Sequence, residues 1–157
     1  MPSTNDAISI FVSAMRIHVS DYAQTDIDGN SIGARASQSY WIDHGWIADR
    51  WKYHGLPQIA IFSLGGGVLG DGVTNERYEE NTILVNIFAS GRHQKNNISE
   101  QVKNAFLIRA NRNSINSSGV KIDRLLSDSD NIDDDMAPQD VHRKDLTFRI
   151  VYRASGV

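Results

Sequence analysis

Apolar and polar residues recur along this chain with two different periods, and the periods divide it into elements. Ile8, Phe11, Val12, Met15, Val19 and Tyr22 fall at steps of three and four. That spacing places them on one face of a helix from about Thr4 to Val19 or Tyr22. Ser3, Thr4 or Asn5 supplies an N-cap oxygen, and Asp6 lies in the first turn, where the helix dipole favours a negative charge. Ile59–Leu64 reads as a strand, and so does Thr82–Ser90, rich in β-branched and aromatic residues. In the second of these, Ile83, Val85, Ile87 and Ala89 share one face, and Leu84, Asn86 and Phe88 the other. Gly91–Lys95 reads as a basic turn. Asn97 followed by Glu100 resembles a capping box, and Ile98, Val102, Ala105, Phe106 and Ala110 continue at helical spacing. Val120–Leu126 is a further expected strand, with Val120, Ile122 and Leu126 on one side. Lys144–Ala154 alternates almost strictly: Leu146, Phe148, Ile150 and Tyr152 inward, Thr147, Arg149, Val151 and Arg153 outward.

The connections are less regular. Asp26–Asn30 is turn chemistry. The stretch 31–56 holds Trp41, Trp46 and Trp51, whose spacing of five fits neither period. Within it Ser37–Ile42 suits a short strand and Ile47–Tyr53 a short helix. Gly65–Gly72 reads as the flexible tip of a hairpin whose loop spans Gly65–Asn81. Ser127–Val141 carries six aspartates and no base, the composition of an exposed loop. The expected fold class is α+β: an antiparallel sheet of about four strands, two helices packed on one face, and long hairpin loops.

A chain of 157 residues is one domain, 1–157, with an aromatic-rich irregular region at 31–56. There are no cysteines, so disulfides, thiolate metal sites and a cysteine nucleophile are excluded. The net charge of −3 argues against a protein whose main work is binding nucleic acid. The N-terminus lacks the basic start of a signal peptide, and no apolar run reaches the ~20 residues of a membrane span. The expectation is a soluble protein that is not secreted and has no membrane partner.

Candidate chemistry is sparse. Gly65-Gly66-Gly67-Val68-Leu69-Gly70 spells G-x-G-x-x-G after a strand, but no helix pattern opens there to receive a pyrophosphate. Asp128-Ser129-Asp130-Asn131 starts like a calcium loop, yet Asp133 stands where glycine is required. The histidines His18, His44, His54, His93 and His142 lack ligand spacing, and no nucleophile elbow surrounds a serine. No catalytic residue, metal or cofactor is therefore assigned. Charge is distributed unevenly instead. Arg92–Arg112 carries Arg92, Lys95, Lys103, Arg109 and Arg112 against Glu100 alone, whereas the 127–141 loop is purely acidic. A basic helix face and an acidic loop can meet between copies, as head-to-tail ring contacts do.

These pieces together resemble the tail terminator (tail completion) proteins of long-tailed bacteriophages and related archaeal viruses. The similarity lies in the N-terminal amphipathic helix, Pro57–Ile61, Thr82–Ala89 followed by Arg92, the helix Ile98–Ala110, and Arg143–Arg153. It implies a structural virion protein, made in the host cytoplasm, that forms a hexameric ring. Such a ring ends the tail tube and joins it to the head-tail connector, with DNA passing through the channel without sequence-specific binding. A tail-to-head joining protein of the same fold is the alternative within this class. The candidate subunit interface is Arg92, Lys103, Arg109, Arg112, Arg149 and Arg153 with Asp133, Asp134 and Asp135. The candidate docking loop is Gly66, Gly67, Val68, Leu69, Gly70 and Asp71, and Ser127–His142 is a second docking arm. Two other classes compete. One is a small enzyme using Asp43, His44, Asp49 and His54. The other is a single-strand nucleic-acid binder using Arg50, Lys52 and Tyr53.

Overall fold

The computed structural model describes residues 4–19, 23–25, 31–34, 42–45, 57–71, 76–89, 91–109, 112–113, 119–131 and 142–155. Helix α1 (Thr4–His18) is followed by β1 (Ala23–Thr25), β2 (Ser31–Ala34), β3 (Ile42–His44), β4 (Gln58–Asp71) and β5 (Glu76–Ala89). Helix α2 (Arg92–Leu107), β6 (Val120–Asn131) and β7 (His142–Ser155) complete the order. β1 and β2 form a small antiparallel pair of their own. The other strands make one sheet in the order β3-β4-β5-β7-β6. Its four long strands are antiparallel. The short β3 joins the edge in parallel with Ile59–Ile61 of β4, and ends where Gly45 (φ 114°) donates its N–H to the Ile61 carbonyl at 3.0 Å. The expected α+β class, with helices on one face of an antiparallel sheet, is what the chain forms.

The core lies between the sheet and the two helices. α1 buries Ile8, Phe11, Val12 and Met15, with Val19 just beyond its end, and α2 buries Ile98, Val102, Ala105 and Phe106. Opposite them stand Ile59 and Ile61, Ile83, Val85 and Ile87, and Leu146, Phe148 and Ile150, each at 0 % exposure. At the centre the rings of Phe11 and Phe106 stack at 4.3 Å and 4°. Phe148 tilts against both, at 5.8 and 5.3 Å. Each such ring contributes about 1.5–3 kcal/mol through burial, and each aromatic pair about 0.5–1.5 kcal/mol more. The opposite sheet face is also buried at Gln58, Ala60, Asn86 and Phe88. Both faces of β4 and β5 are thus covered at this end, which accounts for the nearly unbroken apolar run of Ile83–Ala89.

Four expectations are corrected. The long hairpin loop does not form: β4 and β5 stay paired from Gln58↔Phe88 out to Asp71↔Arg77. Gly66, Gly67, Val68, Leu69, Gly70 and Asp71 are therefore strand residues of a long arm and do not form a loop. The acidic loop is likewise shorter, because Ser127–Asn131 pairs with Arg143–Thr147. α2 begins at Arg92, so the basic turn is its first turn. Gly91 is the N-cap in extended conformation, without a side-chain cap, and its carbonyl accepts the Lys95 N–H at 2.9 Å. The earlier start lays the Lys95 stem and Ser99 into the buried stripe with Ile98 and Val102, and Asn97 lies inside the helix. The helix also stops at Leu107, before Arg112. Finally, two bulges in β6, at 122/124 and 125/127, shift its side chains, so that Leu125 packs on the core and Leu126 is 43 % exposed.

Candidate functional site

Three features of the surface have defined geometry. The first is a clamp between α2 and the edge strand β6. Asp128 and Asp130 alternate on β6, so both reach the helix side of the sheet. Lys103 pairs with Asp128, and Lys95 with Asp130 at 2.6 Å. Lys144 of β7 stands between them, 3.0 Å from Asp128 and 4.0 Å from Asp130. Glu100 adds an i,i+3 contact to Lys103 at 3.3 Å. Partial burial opposes charge on Asp128, but the hydrogen bonds from Lys103 and Lys144 outweigh it and lower its pKa. Asp130 is lowered chiefly by its hydrogen bond from Lys95. Lys103 is raised, chiefly by its hydrogen bond to Asp128. Nearby, Arg112 donates to the carbonyls of Ile122 at 2.7 Å and Asp123 at 3.4 Å, tying the segment after α2 to the first β6 bulge.

The second feature is a ladder on the opposite sheet face. Arg149 of β7 bridges Glu80 of β5 and Asp123 of β6, the latter at 3.3 Å. Arg124 approaches Asp123 at 3.8 Å. Farther along, Arg143 pairs with Asp145 at 2.9 Å and lies 5.5 Å over the Phe88 ring.

The third feature is the far half of the β4–β5 hairpin. Leu64 forms a bulge against β5, and a second bulge follows Val68. Gly65 has φ +104°, and a Cβ at Gly66 would fall 1.7 Å from the Glu80 carbonyl oxygen. Glycine is thus required at both positions. Ser63 Oγ donates to Asn81 Oδ1 at 2.8 Å across the strands. A groove of about 280 Å³ opens here, lined by Gly65–Val68, Asn81 and Tyr152 among others. Leu64 and Val68, both 58 % exposed, and Tyr78, 47 % exposed, leave apolar surface along the arm.

The candidate interface residues separate into two groups. Lys103, Arg112 and Arg149 are engaged within their own chain, Lys103 with Asp128, Arg112 with the Ile122 and Asp123 carbonyls, and Arg149 with Glu80 and Asp123. Arg92 and Arg109 are exposed. Arg153 is exposed as well, and also makes a contact within its own chain. Asp133, Asp134 and Asp135 lie outside the described residues. So do Trp41, Trp46, Trp51, Asp49, Arg50, Lys52, Tyr53 and His54. Of the proposed acid–base set, His44 is exposed, and Asp43 is described only as a β3 backbone position. Among the described residues no group of three or more His, Asp or Glu side chains could hold a metal ion, and no helix is long and apolar enough to cross a membrane. Sequence reading missed the Asp128–Lys144 and Glu80–Arg149 pairings. The signal present was the alternation Asp128-x-Asp130, which has the period of a strand. Comparison with protein-family models and with curated proteins gives no match to this chain.

Proposed function

We propose that this chain is the subunit of a ring that terminates a viral tail tube and joins it to the head connector. The observation that supports this best is the sheet itself. Four antiparallel strands carry both helices on one face, while β4 and β5 run together for 14 residues each. Their far half forms an arm with exposed apolar side chains. A rigid, helix-backed plate with a projecting arm suits a part that must stack on a tube and grip the next component above it. In this reading the arm is a firm strand pair and docks through Leu64, Val68 and Tyr78. Arg92 and Arg109 are exposed cations that neighbouring subunits can reach.

The test has two parts. Sedimentation of the purified protein, alone and with tail tubes, should give sixfold particles or sixfold rings at one tube end. Val68→Asp combined with Tyr78→Asp should preserve the fold and abolish tube joining. Normal joining by the double variant, or tubes left without a terminal ring by the wild type, would overturn the reading.

A further inference from the structure

We infer that the open outer edge of β4, Phe62–Asp71, pairs with the same edge of a second copy of this chain, antiparallel about a two-fold axis at Gly66. Such a pair needs no tail tube and does not rest on the ring reading above.

The edge has the chemistry of an unguarded strand. β4 lies between β3 and β5 only as far as Ile61, where β3 ends. From Phe62 onward its one strand neighbour among the described residues is β5. Leu64, Gly65, Gly66, Gly67 and Val68 are all exposed. A row of accessible main-chain N–H and C=O groups accepts another strand, and charged side chains are a common guard against it. β4 carries no charged residue from Gln58 through Gly70, whereas β6, at the other edge of the sheet, carries Lys121, Asp123, Arg124, Asp128 and Asp130. Gly67 points the same way. Its φ is not positive and a Cβ there would meet nothing within 4 Å, so its own fold does not require glycine. Glycine inside a strand also marks places where another backbone approaches closely.

The shape of the edge selects its occupant. The open part starts after β3 and finishes with β4 at Asp71, so its midpoint falls at Gly66-Gly67. A two-fold axis there sets two copies antiparallel and leaves the β3 of each beyond the end of the other's strand. Centred on Gly66, the register sets Gly65 opposite Gly67, and Leu64 opposite Val68, of the second copy. Leu64 and Val68, each 58 % exposed, thus meet at two symmetric places. Between the bulges, Gly65–Val68 pairs one-to-one with Thr82–Glu79 and offers the regular ladder an added strand needs. β6 of a second copy fits less well. With its Val120–Ser127 set level along this edge, Asp128–Asp130 would fall beside Ile61–Ile59, the place β3 holds. The contact is therefore isologous. It occupies the arm that docks in the ring reading, so it is the state of the protein before docking.

The absence of cysteine from the sequence makes the contact directly testable. The chain carrying both Leu64→Cys and Val68→Cys is mildly oxidised. Four residues apart on a strand, its two thiols stand more than about 10 Å from each other and cannot close within one chain. The two-fold contact predicts a covalent dimer with no free thiol and no larger species, because both disulfides close the same pair. Adding Gly67→Lys, which puts like charges at the centre of the contact, should lower the dimer yield at least tenfold without lowering the urea midpoint of the dilute protein. A ladder of higher oligomers means head-to-tail pairing and overturns the two-fold contact. Monomers with both thiols free overturn it as well, and so does a dimer yield that Gly67→Lys leaves unchanged. Sixfold rings at tube ends are scored separately by electron microscopy of the wild type, so this contact and the ring reading can each fail alone.

Discussion

Gly65, Gly66 and Gly67 are adjacent and chemically identical, yet alanine at each should have a different effect. At Gly65 the backbone sits at φ +104°, where an L side chain is strained, and alanine should cost about 1–3 kcal/mol. At Gly66 the new Cβ would lie 1.7 Å from the Glu80 carbonyl oxygen, against the 3.0 Å below which real contacts essentially do not occur. The obstacle is backbone in a paired strand, so β4 and β5 must separate by more than an ångström. Overpacking plus a weakened ladder bond puts the cost at about 2–4 kcal/mol. At Gly67 nothing lies within 4 Å and φ is not positive. Alanine there removes freedom from the unfolded chain and should be neutral or stabilising by about 0.4–1 kcal/mol. The assay is urea unfolding of the three variants. With a slope of about 2 kcal/mol per molar, Gly66→Ala should lower the midpoint by about 1–2 M while Gly67→Ala does not lower it. Three equal, small effects would refute the reasoning, because a flexible tether tolerates alanine equally at every position.

The same geometry sets other outcomes. Phe106→Ala removes the ring that stacks on Phe11 and touches Phe148, and should cost about 3–5 kcal/mol in urea unfolding; a loss below about 1 kcal/mol would contradict the packing. Asp128→Asn leaves Lys103 and Lys144 facing each other without their shared carboxylate and should cost about 1 kcal/mol at neutral pH, less at high salt. The pH dependence has a definite sign. Asp128 and Asp130 have lowered folded pKa values, so their contribution is fully present above about pH 4 and is lost as pH falls through those values. The raised Lys103 contributes fully below about pH 10.4, and that part is lost as pH rises through its folded value. Urea midpoints from pH 7 to 3 should therefore fall less steeply for Asp128→Asn than for wild type; parallel curves would remove Asp128 from the acid response.

Elements with one clean period were legible because local pattern and tertiary burial agree there. The α1 stripe and the inward set Leu146, Phe148, Ile150 and Tyr152 of β7 occupy the places their spacing implies. Reading failed where composition and pairing disagree. Gly65–Gly70 has the composition of a flexible tip, and Ser127–Asn131 that of a solvated acidic loop. Both are strands because a neighbouring strand supplies backbone partners along their length. The cap signal at Asn97 and Glu100 was local and real, but it lost to an earlier start that buries a longer stripe of α2. Leu126 was misplaced because a bulge shifts the side-chain order, and bulges leave little trace in hydrophobic alternation.

The candidate surface shows the same division. Its ingredients could be counted in the sequence: bases over Arg92–Arg112, aspartates after Ser127, a run of glycines. Which charges meet could not. Lys103 finds Asp128, and Arg149 finds Glu80 and Asp123, only after β6 and β7 are in register, because an ion pair depends on distances of a few ångströms between residues remote in sequence. By itself the sequence determined the periods, hence the helices, the strands, their buried faces and the α+β class. The tertiary structure alone decided strand lengths and partners, because a strand persists wherever its backbone N–H and C=O groups are paired, whatever its composition suggests. It thereby turned a supposed loop into an arm with a groove, and brought Lys95 and Lys103 of α2 onto Asp130 and Asp128 of β6.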